Sequence, residues 1–116
     1  MATLHIEGLH CTKKRDPIGK DELDIYVAID GGSESFLSGP HFLDKSKNDD
    51  FVDLHTDRTF TNEIKVRLKE RDGARGGSND KDLGLKVYDK TELTNDGEAV
   101  FGTDGISYTM DYRITA

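Results

Sequence analysis

Apolar and polar residues alternate along most of the chain, in short stretches separated by turn residues. The longest stretch covers residues 106–114, and residues 64–68 alternate between an apolar and a cationic face. Strict alternation over four to eight residues is typical of a half-buried β-strand. Residues 4–11 and 25–29 follow the same rule, and Gly8 marks a bulge within the first of them.

Four other stretches are patterned more weakly. Residues 51–54 and 99–101 predict two short strands, and residues 33–50 predict either one short strand or a long loop. Residues 90–98 offer at most one short helical turn. No window of ten residues has the 3.6-residue period of an amphipathic helix, so the pattern favours strands throughout.

A further strand is predicted where apolar residues alternate at Leu83, Leu85 and Val87. We expect these three side chains to share the buried face and Lys86 to point outward. With this strand the chain has seven or eight short, half-buried strands separated by turn signals. The sequence therefore predicts an all-β fold, a single antiparallel β-sandwich domain over residues 1–116.

Composition narrows the classes of protein that suit this fold. Apolar residues make up 34% of the 116 residues, against about 45–50% in an average globular domain. The net charge of −7 disfavours nucleic acid as a partner, because phosphate binding needs a basic face. No stretch is long and apolar enough to predict a transmembrane segment. No signal peptide is visible, which suits both a cytoplasmic protein and a domain cut from a longer chain.

Candidate catalytic residues are scarce. Cys11 is the single cysteine, and neighbouring strand residues point to opposite faces, so His10 and Cys11 do not form a nucleophile pair by adjacency. We expect Cys11 to be a small buried residue. The other histidines, His5, His41 and His55, have no spacing typical of metal ligands. We therefore expect a protein that is not an enzyme.

Asp outnumbers Glu by 16 to 7, and much of the excess lies in two loops, residues 13–24 and 70–82. Calcium takes six to eight oxygen ligands, and clustered carboxylates repel one another unless a cation is present. Asp-rich loops with glycine therefore predict calcium binding, and solvated turns are the alternative. Segments near 24–30, 36–43 and 51–55 would place three strands between the two loops and bring them to the same end of the sandwich.

Three segments together have the order and spacing of a known family. They are Asp16 and Asp21 leading into the strand 24–29, the stretch from Phe60 through Asn62 and Glu63 to Glu70 and Asp72, and Asn79-Asp80-x-Asp82-Leu83-Gly84. This combination resembles the C2 domain, the calcium-dependent phospholipid-binding domain. The resemblance covers most of the chain and lies in loop spacing and strand order.

The resemblance implies an eight-stranded antiparallel sandwich with calcium held between loops at one end. The calcium ligands that it implies are Asp16, Asp21, Glu70, Asp72, Asp80 and Asp82. Three departures from the family pattern bear on this set. Asp24 competes with Asp21 for the first-loop position, and Glu70 stands where the family usually has Asp. The stretch to Leu83-Gly84 is longer than usual, so Asp80 and Asp82 compete for the last position.

The function that follows is a calcium-binding module that recognises an acidic ligand, most simply an anionic phospholipid headgroup. If the ligand is a membrane, the cations Lys13, Lys14 and Arg15 beside the proposed ions would contact phosphates; the alternative is that they form a solvated strand end. One alternative is a structural or adhesive sandwich that calcium stiffens and that binds protein or glycan. Another is an accessory protein without metal. Exposed edge strands make a monomer or a weak dimer the expected state.

Overall fold

The computed structural model of the protein describes residues 1–13, 20–44, 50–71, 80–103 and 106–116. Eight strands lie within these ranges, and the described residues contain no helix that could cross a membrane. The strands are β1 (Ala2–Lys13), β2 (Lys20–Ile29), β3 (Ser35–Asp44), β4 (Phe51–Phe60), β5 (Glu63–Glu70), β6 (Lys81–Asp89), β7 (Thr94–Thr103) and β8 (Ile106–Thr115).

The strands form two four-stranded antiparallel sheets that pack face to face. Sheet I has the order β4-β1-β8-β7, and sheet II has the order β3-β2-β5-β6. Apolar side chains from both sheets form one buried core. Its largest fully buried members include Leu4, Ile6, Leu9, Leu23, Ile25, Ile64, Leu68, Phe101, Tyr108 and Met110. The prediction of an all-β antiparallel sandwich is confirmed.

The cleanest alternating stretches form the central strands of the two sheets. In β5 the apolar residues Ile64, Val66 and Leu68 are buried, as the pattern predicts. The predicted irregularity at Gly8 is present, since the register of β1 shifts between Ile6 and Gly8 against both of its neighbours. A side chain at this glycine would meet the ring of Phe51, because a Cβ atom there would lie 2.7 Å from Cζ.

The predicted orientation of β6 is wrong. Leu83 is buried, but Leu85 and Val87 are 39% and 48% exposed. The cause is a register shift: Leu68 pairs with Gly84 and Lys69 pairs with Asp82, so Leu83 is an extra residue on β6. One extra residue turns every later side chain to the other face of a strand. Lys86 consequently pairs with inward-facing Val66, and its Nζ lies 5.7 Å from the centroid of the Phe101 ring.

Three weakly patterned stretches are more regular than the sequence predicts. Residues 33–50 contain the ten-residue strand β3, and β4 extends to Phe60. No helical turn occupies residues 90–98: Lys90 and Thr91 form a turn, and β7 begins at Thr94. Pairing with neighbouring strands supplies the backbone hydrogen bonds that side-chain alternation does not reveal.

Candidate functional site

The strand ends that flank loops 13–24 and 70–82 lie at one end of the sandwich. Leu23 near the start of β2 pairs with Glu70 at the end of β5. The backbone N–H of Arg71 donates a hydrogen bond to the carbonyl oxygen of Glu22, at 2.7 Å. Three strands separate β1 from β5, which is the arrangement that the strand count predicts. We call this region the loop end.

Asp24 is held by a charge-paired contact at the loop end. Its side chain is 0% exposed, and its two carboxylate oxygens accept hydrogen bonds from Nη2 and Nε of Arg71 at 2.8 and 2.9 Å. The Asp24 hydrogen bond, set against partial desolvation, raises the pKa of Arg71 above its ordinary value. This bidentate geometry uses both oxygens of Asp24, so the pair is a structural contact of the strand ends.

Asp21 is the other carboxylate of β2 near this end, and it lies on the core side. It shares the inward face of the strand with Leu23 and Ile25 and is 2% exposed. Glu70 lies on the inward face of β5, two residues after Leu68. Asp80 directly precedes β6, whose first residue pairs with Glu70. The strand register therefore brings three of the predicted calcium ligands to one end.

The other predicted ligands stand differently. Asp16 and Asp72 lie outside the described residues. Asp82 is described and exposed: its carboxylate contacts Nη1 of Arg67 and accepts a hydrogen bond from the backbone N–H of Gly84 at 3.0 Å. Arg67 also donates to Glu34 at 2.8 Å, and that hydrogen bond is the main cause that raises the pKa of Arg67.

Sequence reasoning missed a second group of ligand-type side chains, on the outer face of sheet I. Within the described ranges, His10, Glu98 and Asp111 are the group of three whose ligand atoms all lie within 4.8 Å of one another. They come from β1, β7 and β8. Alternation gives the outward direction of His10 and Asp111, but the order β1-β8-β7 is needed to bring the three together.

Comparison with known proteins supports the architecture. No protein-family model matches this chain, and no curated protein matches it significantly. A solved structure titled "Structure of a C2 domain" covers 100% of this chain and 100% of its own, with a TM-score of 0.57 and 12% sequence identity. The fold is that of a C2 domain. At this identity the likeness concerns the fold alone, so the chain is described below as C2-like.

Proposed function

We propose that the chain is a calcium-binding C2-like module. Calcium would order loops 13–24 and 70–82 and create a surface for an acidic ligand such as an anionic phospholipid headgroup. The observation that supports this proposal is Asp21, a carboxylate 2% exposed on the core side of the loop end, with Glu70 on the neighbouring strand. Buried ionisable groups cluster at functional sites, and a bound cation would offset the like-charge repulsion of carboxylates gathered at one end of the sandwich.

The donor set at the loop end suits a hard cation. Asp21, Glu70 and Asp80 supply carboxylate oxygens, and loop residues Asp16 and Asp72 add two more in the sequence. Calcium binds oxygen ligands, with carboxylates supplemented by backbone carbonyls. Asp24 is left out of this set because Arg71 occupies both of its oxygens.

Asp82 belongs to the ligand set that the resemblance implies, and its role stays a prediction. In the structure its carboxylate contacts Arg67 and the backbone of Gly84. Binding calcium there would require this contact to be exchanged for the ion. Asp80, two residues earlier, directly precedes β6 and competes with Asp82 for the same ligand position.

Bound calcium would change the electrostatics of the loop end. The chain carries −7, and a surface of that sign is repelled by an anionic membrane. Each calcium ion adds two positive charges at the loops and offers direct coordination to phosphate oxygens. The sequence also places Lys13, Lys14, Arg15 and Lys20 in or beside the first loop, where cations attract anionic headgroups.

The second candidate is a calcium-stiffened module that binds protein or glycan. One observation favours it: Ile18 is the single large apolar residue between Lys13 and Lys20, and residues 71–80 contain no large apolar residue. Loops with so few apolar residues have little to insert into a bilayer. In this version calcium orders the loops without recruiting lipid.

Sedimentation with lipid vesicles tests the proposal. We expect the protein to bind vesicles of phosphatidylserine and phosphatidylcholine with calcium present, to detach with chelator, and to ignore vesicles of phosphatidylcholine alone. Asp21→Asn and Glu70→Gln should each weaken calcium binding by calorimetry. Asp57→Asn is the matched control, because Asp57 is an exposed carboxylate on β4 that contacts His5.

The outcomes separate the candidates. Calcium binding that depends on Asp21 without vesicle binding would favour the protein or glycan ligand. Absence of calcium binding in the wild-type protein would contradict both candidates. Equal weakening by Asp21→Asn and Asp57→Asn would contradict the assignment of the site to the loop end.

A further inference from the structure

The outer face of sheet I carries a compact group of metal-ligand side chains that shares no residue with the calcium site proposed above. His10 on β1, Glu98 on β7 and Asp111 on β8 have ligand atoms within 4.8 Å of one another. Nε2 of His10 lies 3.5 Å from Oδ1 of Asp111. The side chains of His10 and Asp111 are 22% and 34% exposed and Glu98 is exposed, so the group lies at the surface of the sheet, although Nε2 of His10 is itself buried.

The strand register explains why these three side chains meet. Glu98 pairs directly with Asp111 across the β7–β8 ladder, so both lie on the same face of the sheet. On the other side, Asp111 pairs with Gly8 of β1, which has no side chain. His10, two residues along β1, reaches Asp111 diagonally, with Nε2 of His10 3.5 Å from Oδ1 of Asp111. The ring of Phe51 packs against Gly8 and edge-on against His10, with ring centroids 6.2 Å apart.

Two features of this arrangement are unfavourable without a cation. Nε2 of His10 is a buried atom with no hydrogen-bond partner in the described part of the chain. Glu98 and Asp111 are like charges placed directly opposite on adjacent strands, which destabilises a sheet. A bound metal ion would give the nitrogen a ligand bond and would neutralise the two carboxylates.

The surroundings are acidic. An open cavity of about 200 Å³ adjoins the group, and its lining includes Glu98, Asp111, Asp96 and Glu7. Arg113, on the same face of β8 as Asp111, donates from Nε to Glu7 at 3.1 Å. Its charge is therefore directed at Glu7 rather than at the His10 group, and the field near Asp111 favours a cation.

The donor types decide which class of metal fits. Calcium prefers six to eight oxygen ligands, whereas this group has one imidazole nitrogen and two carboxylates. Zinc takes nitrogen and oxygen ligands at about 2.0–2.2 Å in a tetrahedron, which separates ligand atoms by roughly 3.4 Å. The distance of 3.5 Å between Nε2 of His10 and Oδ1 of Asp111 already meets this requirement. The exposed side chain of Glu98 can close the remaining gap by a rotamer change.

We propose that His10, Glu98 and Asp111 bind a divalent transition metal of the zinc class, with water in the remaining coordination position. This site is separate from the calcium site at the loop end and does not depend on it. Phe51 packs edge-on against the His10 ring and so limits the orientations that this ring can take. The competing explanation is a protonated His10 that forms a simple ion pair with Asp111.

Zinc titration by calorimetry on the full chain, stripped with chelator and free of calcium, tests the proposal. We expect one site, with simultaneous shifts of the His10 imidazole resonances in nitrogen-edited NMR spectra. Since changes even in outer-shell partners cost roughly 10- to 100-fold in metal affinity, His10→Ala and Asp111→Asn should each weaken binding at least about tenfold. His55→Ala is the matched control, because His55 is an exposed strand histidine outside the group.

Each possible result either supports the proposed site or overturns it. Asp111→Asn changes a charge with almost no change in shape, so it remains informative even if His10→Ala unfolds the protein. A loss in both variants with His55→Ala unchanged supports the site. Absence of zinc binding would overturn it in favour of the ion pair. Equal weakening by the control variant, or a site that prefers calcium to zinc, would also overturn it.

Discussion

At the residue scale, the loop end depends on one buried charge pair. Asp24 is fully buried and its carboxylate is satisfied by Arg71. Removing one partner of such a pair leaves an uncompensated charge, whereas removing both leaves none. We therefore predict that Arg71→Met lowers stability more than the double variant Arg71→Met/Asp24→Asn. Urea unfolding measures the difference, and simple addition of the two single losses would contradict the account.

Tyr108 presents the opposite situation, a buried hydroxyl without a hydrogen-bond partner in the described chain. Leaving such a group unsatisfied costs about 1–3 kcal/mol. We predict that Tyr108→Phe leaves the free energy of unfolding unchanged or raises it by about 1 kcal/mol. Phe101→Ala on the neighbouring strand is the contrast, because removing a core ring costs about 3–5 kcal/mol. A clear loss of stability in Tyr108→Phe would show that the hydroxyl is satisfied.

We expect the carboxylate of Asp30 to cause part of the pH dependence of the free energy of unfolding. Its carboxylate accepts hydrogen bonds from the backbone N–H groups of Asn62, Thr61 and Glu63, and these bonds, that from Asn62 most of all, lower its pKa below the ordinary 3.8. A lowered folded-state pKa gives stability that is complete above the unfolded-state value and is lost as the pH falls through the folded-state value.

We therefore predict that part of the stability lost on acidification below about pH 4 is absent in Asp30→Asn. Asn retains an acceptor oxygen and tolerates the positive φ of 51° at this position, so the variant removes the charge and little else. Thermal unfolding across the acid range measures the effect. If Asp30→Asn loses as much stability on acidification as the wild-type protein, the role given to Asp30 is contradicted.

At the element scale, alternation predicts strands well and their orientation only where the register is regular. The strands β1, β2, β5 and β8 follow their patterns, and the bulge at Gly8 has a local signal in the glycine itself. The changed side-chain orientation in β6 has no such local signal in the sequence. It depends on Leu83 being an extra residue in the pairing with β5. Burial of Asp24 also escapes local reasoning, since it depends on Arg71, 47 residues away.

The two candidate sites also differ in how far the sequence predicts them. Loop composition and a family resemblance predict the calcium ligands, and the strand register explains how Asp21, Glu70 and Asp80 come to one end. The His10 group could not be predicted, because three residues from strands distant in sequence meet only once the order β1-β8-β7 is known. Long-range pairing carries this information, and a local pattern does not.

Close packing of β3 on β2 gives a prediction about two glycines. Gly39 has φ of 144°, and a Cβ atom there would lie 2.2 Å from Oδ1 of Asp24. Gly31 also has a positive φ, 78°, but nothing lies within 4 Å of its Cβ position. Gly31→Ala should cost about 1–2 kcal/mol from backbone strain alone. Gly39→Ala should cost clearly more, because it also displaces the Asp24–Arg71 contact; equal losses in urea unfolding would contradict this.

At the scale of the whole molecule, the sandwich carries two groups of metal-ligand side chains with different donor types. The loop end carries oxygen donors that suit calcium, whereas the outer face of sheet I combines an imidazole with carboxylates. The net charge of −7 favours cation binding in general, so selectivity has to come from donor type and geometry. Variants at each region should therefore affect one metal and leave the other unchanged.

Thermal unfolding in excess chelator and then in millimolar calcium tests the central claim, that the loop end binds calcium. A ligand at about 100 times its dissociation constant adds roughly 2.7 kcal/mol, which is several degrees in a domain of this size. We predict a calcium-selective rise in the wild-type protein and in His10→Ala, and its loss in Asp21→Asn. No rise, or an equal rise in Asp21→Asn, would contradict the claim.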